Sequence, residues 1–203
     1  LHAVGLSGSK PGVVLTPDGL IAGYVGSIAD GERIVVELRV TWKEERELVS
    51  VATDGSEAAA PRTLTPVPTK GLSSLMSRDG AAVAWTAKGD NGTWAAFLAD
   101  PSGLGPGEDP RITDWSTQQL YITAFDAAAD ALVGAREDGA VLRYAAQPGA
   151  PGPPQVLALV EDVVNHSTPR PELSADGSYV IYSARTPTGW HSWVLPLAGG
   201  DPV

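Results

Sequence analysis

The chain has 203 residues, a formal net charge of −10, 43% hydrophobic residues and no cysteine. That length allows one all-β domain with a sizeable core. The missing cysteines exclude disulfides, thiolate metal sites and thiol nucleophiles. The acidity is spread along the chain, which argues against a nucleic-acid backbone or an anionic membrane as partner.

In chain order, the start Leu1-His2-Ala3-Val4-Gly5 has neither an initiator Met nor a basic and apolar leader. This is expected of a mature or excised portion of something longer. No apolar run reaches the roughly eighteen residues of a membrane-spanning helix, so no direct membrane insertion by this segment is expected. Val13-Val14-Leu15-Thr16 is the first strand-like string. Gly (23) and Pro (17) then punctuate short apolar strings without a collagen-like period, and read as turns between strands.

A turn followed by a strand recurs. Asp30-Gly31 leads into Arg33-Ile34-Val35-Val36, Asp79-Gly80 into Ala82-Val83-Ala84-Trp85, and Asp176-Gly177 into Tyr179-Val180-Ile181-Tyr182. The first step is 49 residues and the second 97, so a degenerate copy is expected near residue 128, where Ala128-Ala129-Asp130-Ala131 leads into Leu132-Val133. A second landmark has the same period: Leu15-Thr16-Pro17, Leu64-Thr65-Pro66 and Ile112-Thr113-Asp114, with Val156-Leu157-Ala158 as the weaker fourth. Two independent landmarks on one period define a repeat, whereas a lone Asp-Gly is only a turn signal.

Each unit parses into four short strands. In the second they are Leu72–Ser77, Ala82–Ala87, Thr93–Ala99 and Arg111–Thr113; in the fourth, Pro171–Ser174, Tyr179–Ala184 and Ser192–Leu197 are visible. Asp79 can bond its own downstream backbone while Gly80 tolerates positive φ, which suits a tight hairpin. Trp85 and Tyr182 fall at equivalent places, with Val36 and Gly134 in the other two units. They read as inter-sheet core or as an aromatic platform.

Four-stranded units of about 49 residues have the length of propeller blades. The expected fold is therefore all-β, a β-propeller of four four-stranded blades in a single domain. The blade units are approximately 18–65, 66–113, 114–159 and 160–203 plus 12–16. In this phase Val13–Thr16 is a last strand without its unit, and the fourth unit stops before its own last strand. The N-terminal strand could thus close the ring and cover an exposed edge; the alternatives are an excised part of a six- or seven-bladed protein and a β-sandwich.

The run Leu173-Ser174-Ala175-Asp176-Gly177-Ser178-Tyr179-Val180-Ile181-Tyr182-Ser183-Ala184-Arg185 resembles the TolB-like, WD-like (PD40-type) propeller repeat. Leu195-Pro196-Leu197-Ala198-Gly199-Gly200 resembles its closing stretch, and Ser77-Arg78-Asp79-Gly80 with Leu64-Thr65 match the second unit. The resemblance covers most of residues 12–200. It implies a bacterial, exported setting, periplasmic, extracytoplasmic or secreted, and a role in holding another protein or a carbohydrate. Similar blades occur in prolyl oligopeptidases, but the Gly-x-Ser-x-Gly elbow their chemistry needs is absent here.

The chemistry-bearing residues are few. His2, His166 and His191 have no ligand spacing for zinc. Glu108-Asp109 and Glu161-Asp162 lack the regular pattern of a calcium loop, so no cofactor is expected, with calcium as the remaining alternative. No carboxylate pair is selected for glycoside hydrolysis. Trp94, Trp190 and Trp193 lie on or beside equivalent hairpins and, with His191, are the candidate ligand-binding residues as an aromatic rim for a peptide or a sugar face. The expected function is a non-catalytic propeller binding a protein or peptide. The alternatives are a secreted carbohydrate-binding or glycoside-processing propeller and a structural or sensor domain of a larger membrane-anchored protein.

Overall fold

Val, Ile, Trp and Tyr, set among small residues and bounded by Asp-Gly or Gly-rich turns, favour short paired strands over helices. A computed structural model describes residues 2–3, 13–14, 20–27, 33–40, 46–52, 62–65, 70–105, 107–125, 131–164, 168–174, 176–198 and 202–203. Strand β1 (His2–Ala3) pairs with β2 (Val13–Val14). The remaining strands form four antiparallel sheets of three or four strands each.

The first sheet is β3 (Leu20–Ser27), β4 (Arg33–Val40), β5 (Arg46–Ala52) and β6 (Arg62–Thr63). The second is β7 (Lys70–Met76), β8 (Val83–Lys88) and β9 (Trp94–Ala99). Its outer edge is completed irregularly: the Leu98 N–H donates to the Pro110 carbonyl at 2.8 Å and the Ile112 N–H to the Ala96 carbonyl at 3.0 Å. The third sheet is β10 (Leu120–Phe125), β11 (Ala131–Arg136), β12 (Ala140–Ala145) and β13 (Gln155–Leu159). The fourth is β14 (Arg170–Leu173), β15 (Tyr179–Thr186) and β16 (Gly189–Pro196).

The hairpin chemistry repeats as the sequence suggests. Ser77 Oγ donates to Asp79 Oδ1 at 2.7 Å, the Ala82 N–H donates to Ser77 Oγ at 2.9 Å, and Gly80 has φ 72°. In the fourth sheet Ser174 Oγ donates to Asp176 Oδ1 at 2.6 Å, the Tyr179 N–H donates to Ser174 Oγ at 3.0 Å, and Gly177 has φ 70°. The turn at Asp30-Gly31 and the degenerate one at 128–130 lie outside the described residues.

The expected closure differs. Val13–Val14 pairs with His2–Ala3 and not with β16. Beside β16 stands Val203, which exchanges backbone hydrogen bonds with Val194 at 2.9 and 3.0 Å. The open edge is met locally because an adjacent extended residue satisfies the same N–H and C=O groups at lower chain-closure entropy.

Side chains alternate across each sheet, so successive residues of the second strand face opposite neighbours. Val35 packs with Val83, Trp85 and Ala87 between the first and second sheets. Ala84 packs with Leu132, Leu142 and Tyr144 between the second and third. Val133 packs with Val180, Tyr182 and Ala184 between the third and fourth. The core is thus a row of inter-sheet layers.

Candidate functional site

The first strands of successive sheets adjoin one another, β3 against β7, β7 against β10, and β10 against β14. Among the described residues the series does not return from β14 to β3 at comparable packing. Strands β7, β10 and β14 are edge strands of their sheets, so each carries backbone groups unpaired on one side.

A cavity of about 440 Å³ opens along these strands. Ser73 of β7, Tyr121 and Thr123 of β10, Thr168, Arg170 and Glu172 around β14, and Trp190 of β16 line it. Arg170 and Glu172 stand two residues apart on one strand and therefore share a face. Both are exposed, and Pro171 between them is buried. The site offers a cation, an anion, hydroxyls and open strand edges. Among the described residues lining it, no hydroxyl is hydrogen-bonded to a base.

The four residues chosen from sequence do not form one rim. Trp94 is 8% exposed and lies in the layer between the second and third sheets, with Lys88 Nζ 5.9 Å from its ring centroid. Trp190 is 67% exposed and is one of the cavity's lining residues. His191 and Trp193 lie on the other face of β16, because residues alternate along a strand. The Trp193 ring stacks on Tyr182 at 5.3 Å, and His191 stands 5.9 Å from Trp193. His191 Nε2 and Thr188 Oγ1 share a hydrogen bond of 2.8 Å. Burial pushes the Tyr182 phenol pKa up.

Leu104, Glu108 and Asp109 line a common cavity with Gly149. The Gly149 N–H donates to the Arg111 carbonyl at 3.1 Å. The carboxylates of this cavity are already engaged: Arg111 bonds Asp109 in a fork, with Nη2 to Oδ2 at 2.7 Å, and Glu108 accepts the Gly105 N–H. The Arg111 guanidinium holds the Asp109 carboxyl below its ordinary pKa. Among the described residues no three His, Asp or Glu side chains gather as metal ligands. His166 lies outside the described residues.

Sequence reasoning missed Arg170, Glu172, Tyr121 and Thr123. The signal available was their place on or beside the first strand of a unit.

Antiparallel sheets stacked face to face, with their first strands along one line, define a propeller-type fold. The fold is similar to that of solved TolB structures. TolB from Acinetobacter baumannii aligns with a TM-score of 0.57 at 16% identity, covering 90% of this chain and 43% of that one. A protein described as TolB from Agrobacterium tumefaciens aligns with a TM-score of 0.60 at 15% identity, covering 90% of this chain and 61% of that one. Oligopeptidase B from Leishmania major aligns at 0.52 and 15% identity, covering 91% of this chain and 27% of that one. The chain therefore spans about half the length of the TolB structures it resembles. At these identities the likeness is one of fold. No protein-family model and no curated protein sequence matches the chain.

Proposed function

We propose that the four sheets are blades of one propeller-type unit, and that this unit is a non-catalytic module holding an extended segment of a partner protein in the cell envelope or outside the cell. The observation that carries the reading is the 440 Å³ axial cavity, where open strand edges adjoin Arg170 and Glu172. An extended peptide can add hydrogen bonds to such an edge, while charges of both signs select its side chains or terminus. The likeness to TolB structures supports the setting.

The test is a peptide array followed by titration of the best binders. Substituting Arg170→Ala and Glu172→Ala together should weaken binding at least about tenfold, the cost expected of lost charge-assisted hydrogen bonds. Thermal unfolding should be unchanged, since both side chains are exposed. Equal binding by the double variant would place the peptide elsewhere. A glycan panel run in parallel examines the second reading, which rests on the exposed Trp190 indole. Glycan binding abolished by Trp190→Ala would favour it.

A further inference from the structure

The strand edges that meet at the 440 Å³ cavity differ in what their main chains offer. In an antiparallel pair, alternate residues turn N–H and C=O toward the partner strand and the others turn theirs away. The Ser174 N–H donates to the Tyr179 carbonyl at 3.0 Å. The same register pairs Glu172 with Ile181 and Arg170 with Ser183. Residues 170, 172 and 174 therefore bond β15, and Pro171 faces the open side. Pro171 has no N–H, and Pro169 just before it has none either. From Pro169 to Glu172 the open side thus presents the Pro171 carbonyl and no donor. Among the described residues, no main-chain N–H outside the paired strands donates to that carbonyl.

Strand β10 is built otherwise. The Glu137 N–H donates to the Gln119 carbonyl at 3.1 Å, so Tyr121, opposite Ala135, bonds β11. Leu120 and Ile122 then turn both N–H and C=O outward, and no proline interrupts the strand. The side chains add to the contrast. Glu172 and Arg170 are exposed and line the cavity, and among the described residues neither has a hydrogen-bond or ion-pair partner.

An internal segment laid along β14 brings a carbonyl with every amide, and this edge has nothing to donate to it. A free amino terminus is the opposite case: its ammonium carries three donors and no carbonyl precedes it. From this asymmetry we infer that the cavity takes the free amino terminus of the partner chain, with its ammonium on the Glu172 carboxylate and the Pro171 carbonyl and the residues that follow paired along β10. Thr123 and Thr168, which line the same cavity, are the acceptors available to the third donor. The inference rests on the peptide-holding reading above and narrows it from any extended segment to an N-terminal one. A lysine side chain has the same charge, but the backbone that bears it keeps the carbonyls that β14 cannot satisfy.

The probe is a randomised pentapeptide-amide library, part with free amino termini and part N-acetylated, passed over the immobilised chain. Mass spectrometry counts the retained peptides. Free termini should be enriched at least about tenfold over acetylated ones, as expected of a lost charge-assisted hydrogen bond. Glu172→Gln should remove that preference and leave the unfolding midpoint nearly unchanged. Arg170→Ala should lower retention of both forms and keep the preference. Pro171→Ala returns an N–H to the open side and should raise retention of acetylated peptides. Equal retention of the two forms, still lost on Arg170→Ala with Glu172→Ala, overturns this inference and leaves the axial site standing. Acetylated peptides retained through an internal lysine also overturn it. Retention of neither form overturns both readings.

Discussion

Gly134 occupies the place that Trp85 and Tyr182 hold in their units, and the structure shows why an aromatic cannot stand there. A Cβ on Gly134 would lie 1.9 Å from the Tyr121 carbonyl oxygen and 3.0 Å from the Tyr144 ring. The third unit draws its aromatic from the neighbouring strand instead, since Tyr144 is fully buried and its hydroxyl reaches the Tyr121 carbonyl at 3.4 Å. Gly134→Ala should therefore destabilise by about 3 kcal/mol or more, because backbone and not a flexible side chain has to move; chemical denaturation measures it. The Asp176 carboxyl is held at about 2, below its ordinary 3.8, by the hydroxyls of Ser174 and Ser178 and then the Ser178 N–H. A depressed carboxyl stabilises the fold above its unfolded pKa and loses that contribution as pH falls through the folded one. Protection of the Ser178 and Tyr179 amides should accordingly decline between about pH 4 and pH 2. An NMR carboxyl titration with its midpoint near 4 would contradict the turn geometry.

At the scale of elements, the strands of the second and fourth units were legible because turn chemistry and apolar strings agree. The outer strand of the second sheet was only partly so. It lacks a continuous ladder, and Thr113 fills the gap: its Oγ1 accepts the buried Ala96 N–H at 2.9 Å. Thr113→Val should leave that N–H unpaired and cost about 1–3 kcal/mol, whereas Thr113→Ser should retain most of the stability. Amide exchange at Ala96 separates the two. The candidate rim residues are divided between faces for an elementary reason. Trp190, His191 and Trp193 are close in sequence, but alternation sends Trp190 to one face of β16 and the other two to the opposite face. Trp94 and Trp190 match in register yet differ in exposure, because only Trp94 has a sheet packed over it.

At the scale of the molecule, each hydrophobic layer among the described residues joins adjacent sheets, so stability should behave as a sum of nearest-neighbour terms. Leu195→Ala, in the layer between the third and fourth sheets, should cost about 2–5 kcal/mol. It should speed amide exchange in β14–β16 and leave β8–β9 protected. Uniform loss of protection across all four sheets would show instead that the molecule unfolds as one unit. The sequence by itself determined the all-β class, the period near 49 residues and the Ser-x-Asp-Gly turns, because these depend on local φ, alternation and hydrogen bonds within a few residues. Only the tertiary structure decided which strand edge is met by Val203, which tryptophan is covered, and where Arg170 and Glu172 gather. Those outcomes depend on which sheet packs over which face, and similar sequence motifs at Trp94 and Trp190 end in different surroundings when one has a neighbour and the other does not.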